Sequence, residues 1–261
     1  MGELEGKVVL VSGVGHGVGK AISKVVLREG AKVVMGARTF KRLQAIQEEI
    51  EPERKNTKIV EADITDEKGC NALVNTALEK FGRLDALVNV AAMDKVVGNL
   101  MDGNLEDIPR VYNVNMVGTM RLIKDAVPAL IESGNGSIVI IGSIADRFVV
   151  DEAVQLAYAS SKAALRTATW YLARELGPKG IRVNYLAPGY MWGDVLKNAF
   201  EDWAKAFGCS TEEVMAPIRD QRALHRFARE EDVAETVSFF CSDRAAGITG
   251  QGFYIDGGAV H

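Results

Sequence analysis

The sequence predicts an α/β protein built around a parallel β-sheet. Short apolar runs, of which Lys7 to Ser12 (KVVLVS) is the first, alternate with segments of helical periodicity along the 261 residues. Such runs are typical of strands buried on both faces, and their alternation with helices implies parallel strands joined by right-handed crossovers. No internal repeat, low-complexity segment or linker divides the chain, so we expect one domain.

Apolar patterning and helix stop signals such as Gly82 define the predicted elements. Because active sites of open α/β sheets lie at the carboxyl ends of the strands, we expect Gly13, Asn89 and Ser143 near the site. The predicted strands are Lys7–Ser12, Lys32–Gly36, Lys58–Glu61, Leu84–Asn89, Gly136–Gly142, Ile181–Leu186 and Phe253–Ile255. The predicted helices are Val18 to about Gly30, Phe40–Ile50, Asp66–Phe81, Ile108–Ile131, about Ala153–Leu176, Asp194–Phe207, Thr211–Arg222 and Glu231–Cys241.

Composition narrows the classes of partner. The net charge of −4 argues against a nucleic acid or an anionic membrane, and no apolar run reaches the roughly 18 residues that span a bilayer. The three cysteines, Cys70, Cys209 and Cys241, are odd in number and far apart. They fit neither a disulfide framework nor a zinc site, so we expect no metal and a reducing, cytoplasmic location.

A glycine-rich turn follows the first predicted strand. Gly13, Gly17 and Gly19 stand between this strand and a helix, an arrangement that offers backbone N–H groups and a helix N-terminus to a diphosphate. A glycine-rich turn alone would indicate only a tight turn, but the strand–turn–helix context favours dinucleotide binding. We assign His16 and Val18, which lie within the same turn, to this site.

The end of the second strand predicts which dinucleotide is bound. Enzymes that select NAD often carry an acid here, which binds the ribose 2′-hydroxyl. This chain has Ala37 and Arg38 instead, and a forked guanidinium suits a 2′-phosphate. We therefore predict a preference for NADP(H), with NAD(H) as the second possibility. The competing interpretation of Arg38 is an exposed residue that opens the next helix.

Tyr158 and Lys162 form a candidate acid–base pair on a predicted helix. Residues four apart share a helix face, so the two side chains are neighbours. Lowering the pKa of a phenol from about 10 to near 7 needs roughly 4 kcal/mol of preference for the phenolate. A lysine ammonium has the right sign for this. By itself the pair would indicate only a surface Tyr and Lys, and the upstream motifs argue for the acid–base role.

The segment from about 190 to 223 is predicted to form a lid of two short helices beside the catalytic edge. Tyr190, Met191 and Trp192 follow a strand end directly, so we assign Tyr190 and Trp192 to the substrate and Met191 to the cofactor. These apolar side chains favour a lipophilic alcohol or ketone over a small polar sugar. For the other aromatic residues of the segment, ordinary helix packing is the simpler explanation.

Taken together, these motifs resemble the classical short-chain dehydrogenase/reductase family, and the resemblance covers nearly the whole chain. It implies a seven-stranded, doubly wound Rossmann-type sheet with helices on both faces, in one domain of residues 1–261. It also implies a homotetramer, or a homodimer, assembled through the helices that carry Asn115 and Tyr158. The motifs are Ser12-Gly13-x-x-x-Gly17-x-Gly19, Asp63-Ile64, Asn89-x-Ala91, Asn115, Ser143, Tyr158-x-x-x-Lys162, Pro188-Gly189, Thr249-Gly250-Gln251 and Asp256-Gly257-Gly258.

The resemblance also implies roles for the motif residues. Tyr158 would be the general acid and base, Lys162 would lower its pKa and bind the nicotinamide ribose, and Ser143 would position the substrate oxygen. Asn115 would help to hold a water that relays protons through Lys162, and Asp63 would contact the adenine. The remaining residues implied to line the cofactor are Ile64, Asn89, Ala91, Pro188 and Gly189.

The chain departs from the family pattern at several positions, among them Val90, Ala92, Gly193 and Ser12, which replaces a commoner threonine and keeps its hydroxyl. Ala92 stands where the family has glycine, and Gly193 stands where a threonine usually bonds the carboxamide. The predicted function is an NAD(P)(H)-dependent oxidoreductase that interconverts a secondary alcohol and a ketone by hydride transfer. A catalytically silent NADP-binding sensor or scaffold is the alternative. A sugar-nucleotide epimerase is disfavoured by the glycine spacing, and an enoyl reductase by the short Tyr–Lys spacing.

Overall fold

A central parallel β-sheet carries the fold, and helices cover both of its faces. The computed structural model describes residues 2–149 and 154–259. The strands are β1 (Val8–Ser12), β2 (Lys32–Ala37), β3 (Thr57–Glu61), β4 (Ala86–Asn89), β5 (Gly136–Ile141), β6 (Ile181–Pro188), β7 (Met191–Trp192), β8 (Ala228–Arg229) and β9 (Gly252–Ile255). The α-helices are α1 (Val18–Arg28), α2 (Phe40–Ile50), α3 (Glu67–Phe81), α4 (Asp107–Tyr112), α5 (Thr119–Glu132), α6 (Leu156–Leu176), α7 (Asp194–Phe207), α8 (Thr211–Asp220) and α9 (Glu230–Cys241).

Seven strands form the main sheet in the order β3-β2-β1-β4-β5-β6-β9, and all their pairings are parallel. The strand order reverses between β1 and β4, which is where open α/β sheets bind their ligands. In register, Ser12 pairs with Gly36 on one side and with Asn89 on the other. The strand ends therefore meet at one edge, and the predicted doubly wound seven-stranded fold is confirmed.

Two apolar cores lie on opposite faces of this sheet, and β1 contributes to both. Leu10 belongs to the core that also contains Leu73 of α3 and Leu165 of α6. Its neighbour Val11 belongs to the core that includes Ile22 of α1. Successive side chains of a strand point to opposite faces, so a strand covered on both sides must be apolar throughout. This is why the run read from the sequence is nearly continuous.

The element ends agree with the prediction to within two residues wherever the structure describes them. For example, β4 begins at Ala86 rather than Leu84, and α8 ends at Asp220 rather than Arg222. The predicted start of the Tyr158 helix at Ala153 lies outside the described residues. The prediction missed β7 and β8, which form a separate parallel pair. No helix in the described part of the chain is both long and apolar enough to cross a bilayer.

The helix predicted from Ile108 to Ile131 is not uniform. A π-helical segment, Asn113–Gly118, separates α4 from α5. Such segments insert an extra residue into a helical turn and occur frequently at functional sites. In this chain the segment contains Asn115, which is completely buried.

Candidate active site

The main cavity opens at the carboxyl edge of the sheet and has a volume of about 790 Å³. Strand ends and the loops that follow them form its walls, as expected for an open α/β sheet. The predicted site residues that line this cleft are Gly13, Gly17, Val18, Gly19, Arg38, Asp63, Ile64, Ala91, Ser143, Tyr158, Lys162, Pro188, Gly189, Tyr190 and Met191. Four other predicted site residues do not line it, namely His16, Asn89, Asn115 and Trp192.

The glycine-rich turn has the geometry of a diphosphate cradle. Gly13 has a φ of +80°, and a Cβ there would overlap the backbone of Ala91. A Cβ on Gly19 would lie 2.8 Å from the carbonyl oxygen of Gly13, whereas Gly15 faces open space. Gly17 is the N-cap of α1 and makes no side-chain cap bond. The first turn of α1 is therefore available to an anion from the cleft.

Arginine side chains line the cleft beyond the end of β2. Arg38 and Arg42 both contribute to this wall, together with Thr39. Asp63, at the end of the neighbouring strand, uses one carboxylate oxygen to accept hydrogen bonds from the backbone N–H and the hydroxyl of Thr65, each at 2.8 Å. The cleft is thus lined here by two guanidinium groups and by a carboxylate that its own turn holds in place.

Ser143, Tyr158 and Lys162 come together in the same cleft. Ser143 lies two residues beyond the end of β5, and its Oγ accepts a hydrogen bond from the N–H of Ala145 at 3.2 Å. A hydrogen bond also links the side chains of Ser143 and Tyr158. Lys162 lies one turn further along α6, with its Nζ 5.6 Å from the centre of the Tyr158 ring. The Nζ donates to the carbonyl oxygen of Ile141 at 2.8 Å.

Burial shifts the pKa values of both Tyr158 and Lys162. It raises the pKa of Tyr158 from 10.0 to about 12, although the bond to Ser143 acts in the opposite direction. It lowers the pKa of Lys162 from 10.5 to about 8, and Asp94 opposes this effect. From the sequence we predicted that Lys162 would lower the pKa of the Tyr158 phenol towards about 7. The structure shows the reverse shift, because desolvation penalises the charged form of both groups.

Tyr185 of β6 was not identified from the sequence and supports this pair from behind. It is completely buried. Its hydroxyl accepts a hydrogen bond from the backbone N–H of Ser143 at 3.3 Å and donates to the carbonyl oxygen of Lys162 at 3.2 Å. A Cβ on Gly142 would overlap the Tyr185 ring, so the missing side chain makes room for the phenol. One hydroxyl of β6 thereby links the segment after β5 to α6.

A buried carboxylate lies next to this support. Asp146 accepts a hydrogen bond from the hydroxyl of Tyr254 at 3.0 Å, and Arg166 of α6 lies 3.6 Å from its other oxygen. Burial raises the pKa of Asp146. Since Asp146 ends the short 3₁₀ turn that begins after Ser143, these contacts hold that turn against the sheet.

Asn115 acts between two segments rather than inside the cleft. Its Nδ2 donates to Ser161 Oγ at 2.9 Å and to the carbonyl oxygen of Met93 at 3.3 Å. Its Oδ1 accepts from the N–H of Met93 at 2.7 Å. Asn115 therefore ties the loop after β4 to the residue that precedes Lys162. Its predicted part in a water relay stays a prediction.

The segment after β6 divides its aromatic residues between two cavities. Tyr190 and Met191 line the main cleft. Trp192 instead stacks on Phe227 at 6.0 Å with an interplanar angle of 6°, and it lines a second cavity of about 510 Å³ with Met215. The structure thus separates Trp192 from the substrate position that the sequence assigned to it. The main cleft receives Leu196, Ala199 and Trp203 from α7 instead.

Several other residues that line the cleft were not predicted from the sequence. The π-helical segment contributes Val114, which no local pattern marked. Glu230 belongs to α9, far along the chain, and lines the cleft near Gly17 and Gly193. In the described ranges 2–149 and 154–259, no group of three or more His, Cys, Asp or Glu side chains could hold a metal ion.

Comparisons with known proteins give the family. A family model described as enoyl-(acyl carrier protein) reductase matches residues 13–260. The chain is 33% identical over 261 residues to a 3-oxoacyl-[acyl-carrier-protein] reductase, FabG, of Thermotoga maritima, with coverage of 98% of this chain and 99% of that protein. It is 32% identical over 264 residues to the oxidoreductase UcpA of Salmonella typhimurium, with coverage of 100% and 97%.

A solved structure shows the same fold along the same length. The L-sorbose reductase of Gluconobacter frateurii, determined in complex with NADPH and L-sorbose, superposes with a TM-score of 0.90 at 28% identity. The superposition covers 99% of this chain and 98% of that protein. Because the sequence and structure matches both run almost from end to end, the chain belongs to the short-chain dehydrogenase/reductase family of oxidoreductases.

Proposed function

We propose that this protein is an NADP(H)-preferring oxidoreductase that interconverts a secondary alcohol and a ketone. The observation that carries the proposal is the joint placement of Ser143, Tyr158 and Lys162 in a cleft that the glycine-rich turn also lines. An acid–base pair next to a hydroxyl donor suits proton transfer to a carbonyl oxygen. The bound dinucleotide supplies or accepts the hydride.

The described residues fit such a dinucleotide. The turn around Gly13 and Gly17 offers a helix N-terminus to the diphosphate. Arg38 and Arg42 would bind a 2′-phosphate, since guanidinium groups form paired hydrogen bonds with phosphate oxygens. The NADPH in the related L-sorbose reductase supports the preference. NAD(H) is the weaker ligand in this proposal.

Proton transfer is the task of Tyr158. With a pKa of about 12, its phenol keeps its proton at neutral pH and can donate it to the oxygen of a ketone. Ser143 would hold that oxygen through its hydroxyl. The Lys162 ammonium would stabilise the phenolate that remains, and Asn115 would keep Lys162 in place through the neighbouring Ser161.

The substrate is proposed to be lipophilic. Leu196, Ala199 and Trp203 of α7 face the cleft, as do Tyr190 and Met191. A wall of this kind binds apolar groups by removing them from water. The relatives named 3-oxoacyl reductases support a ketone with an acyl chain. Because the structural relative was solved with L-sorbose, polyols and sugars are the comparison class, and equal activity on both classes would contradict the proposal.

We further propose that residues 190–223 act as the lid over this cleft and that the protein is a cytoplasmic homotetramer or homodimer. Helix α6 exposes Trp170 and Tyr171, which are 51% and 74% accessible, and the neighbouring π-helical segment exposes Val117. Clusters of exposed apolar side chains typically mark interfaces. The three cysteines are free, which supports a reducing compartment.

The cofactor assignment is tested by titrating the purified protein with NADPH and with NADH. We expect NADPH to bind at least tenfold more tightly, a difference of about 1.4 kcal/mol. Arg38→Ser should remove most of that difference. Arg54→Ser, which removes an arginine paired with Glu48, is the control. Equal binding of both dinucleotides by the wild type would overturn the NADP(H) preference.

The alternative of a silent sensor is tested at Tyr158. Tyr158→Phe keeps the ring and removes the transferable proton, so we expect turnover of ketones to fall by at least two orders of magnitude while NADPH binding persists. Unchanged turnover would refute the assigned role. The description of the matching family model makes enoyl thioesters a necessary part of the substrate panel. Reduction of these compounds without reduction of ketones would replace the proposed reaction.

A further inference from the structure

Glu230 places a carboxyl group in the wall of the cofactor cleft. It is the first residue of α9 and is half-buried. Two glycines leave the space that this carboxyl group fills. A Cβ on Gly193 would lie 2.8 Å from its Oε1, and a Cβ on Gly17 would lie 3.3 Å from the same atom. The carboxyl oxygen therefore lies against both the glycine-rich turn and the loop that leads into α7.

The structure gives this carboxyl group no partner of its own. Across residues 2–149 and 154–259 it forms neither a hydrogen bond nor an ion pair. Lys20 of α1 and Asp194 of α7 are the charged groups that act on it, with opposite effects. Lys20 is already paired with Glu49 at 3.0 Å. A partly buried carboxyl group without a hydrogen-bond partner carries a desolvation penalty.

The carboxyl group of Glu230 lies close to the N-terminus of α1. Gly17 is the N-cap of α1, and no side chain caps this helix. The N-terminus of a helix carries a partial positive charge that favours an anion. The carboxylate of Glu230 and the diphosphate of a dinucleotide would therefore share one favourable region while repelling each other.

We propose that Glu230 lowers the affinity of the cleft for dinucleotides by competing with their diphosphate for the N-terminus of α1. The proposal rests on the proposed function, since it takes the glycine-rich turn as the diphosphate site. Because the competition involves only the diphosphate, it should weaken binding equally whether or not the ligand carries a nicotinamide. Weaker binding speeds dissociation, so Glu230 promotes release of the spent dinucleotide, a step that limits turnover in many enzymes.

Charge removal at this position tests the proposal. Glu230→Gln keeps the shape of the side chain, and Glu231→Gln removes a charge from its exposed neighbour as the matched control. Dissociation constants are measured for NADPH and for 2′-phospho-ADP-ribose, which carries the same diphosphate without the nicotinamide. At about pH 8 and low salt we expect Glu230→Gln to bind both ligands about tenfold more tightly, and the advantage to shrink in higher salt. Glu230→Ala should behave likewise, and Glu231→Gln should match the wild type.

The pH dependence supplies a second readout. Burial raises the pKa of Glu230, with Lys20 opposing and Asp194 adding to the effect. As the pH falls through that pKa, the carboxylate of the wild type becomes protonated and loses its charge. The difference in dissociation constant between the wild type and Glu230→Gln should therefore narrow. The ratio of the two dissociation constants cancels titrations that both proteins share.

Three results would overturn the inference. These are equal affinities of wild type and Glu230→Gln, tighter binding confined to NADPH, and weaker binding by the variant. Weaker binding would make Glu230 an acceptor for the ligand rather than its competitor. If neither protein binds any nucleotide, the proposed function fails and the inference fails with it. If the wild type and Glu230→Gln bind the nucleotides equally well, only the inference fails.

Discussion

Replacing Lys162 by Met removes an ammonium group that the fold holds almost out of contact with water. Lys162 is only 2% exposed, and its Nζ donates to the carbonyl oxygen of Ile141 at 2.8 Å. Burial lowers its pKa from 10.5 to about 8. We therefore expect the stability of the wild type, measured relative to Lys162→Met, to depend on pH.

The sign and the size of this dependence follow from proton binding. The unfolded chain retains the Lys162 proton up to a pKa of 10.5, whereas the folded chain releases it at about 8. Between these values the unfolded state binds more protons, so the free energy of unfolding rises with pH and is lowest below the folded pKa. A pKa difference of about 2.5 corresponds to about 3.4 kcal/mol. By the same relation, about 2.5 kcal/mol of it falls between about pH 7 and pH 10.

Urea unfolding at several pH values measures this difference. The free energy of unfolding of the wild type minus that of Lys162→Met should rise by about 2.5 kcal/mol from about pH 7 to pH 10. The control is Lys205→Met on the exposed face of α7, which measures how the loss of one positive charge alone changes the free energy of unfolding. A difference that stays constant within about 0.5 kcal/mol would refute the reasoning, because the ammonium would then carry no burial penalty.

Three further predictions concern residues around the site. Gly142→Ala should destabilise the protein by about 1–3 kcal/mol, because the added methyl group overlaps the Tyr185 ring. In the double variant, Tyr185→Ala should relieve that clash, and thermal melting of the single and double variants measures both effects. Tyr185→Phe removes the hydrogen bonds to Ser143 and Lys162, so the kcat for a ketone should fall about tenfold while the Kd for NADPH holds; an unchanged kcat would contradict the supporting role. Trp170→Glu should dissociate the assembly in sedimentation experiments, and an unchanged mass would exclude that face of α6 as the interface.

The sequence predicted those parts of the site that follow from general rules of the fold. Because parallel strands end at one edge, Ser143 could be placed at the same sheet edge as the glycine-rich turn without any structure. Because residues four apart share a helix face, Tyr158 and Lys162 could be placed together. Both placements agree with the structure, in which all three side chains line one cleft.

The misplacement of Trp192 has a physical cause. Met191 and Trp192 form β7, which pairs with β8, a strand far along the chain. Successive side chains of a strand point in opposite directions. Met191 therefore faces the cleft while Trp192 stacks on Phe227. Two residues of strand carry too little periodicity to be recognised, so the alternation could not be applied.

The π-helical segment and the Tyr185 contact were inaccessible for different reasons. Helical propensity and periodicity do not distinguish an i+5 turn from an ordinary one, so Asn113–Gly118 was predicted as part of one continuous helix. Tyr185 fits because Gly142, on the neighbouring strand, has no side chain. That complementarity exists only between residues far apart in sequence, and neither residue indicates it alone.

The charge state of Tyr158 shows why spacing alone does not determine chemistry. The sequence places a cation one turn away, which by itself lowers the pKa of a phenol. The structure buries Lys162 and leaves Tyr158 only partly exposed, and desolvation then raises the pKa of Tyr158 to about 12 while lowering that of Lys162 to about 8. In the proposed reaction, the protonated phenol of Tyr158 would donate its proton to the ketone oxygen. Oxidation of an alcohol would use the phenolate, which positive charge near Tyr158 stabilises.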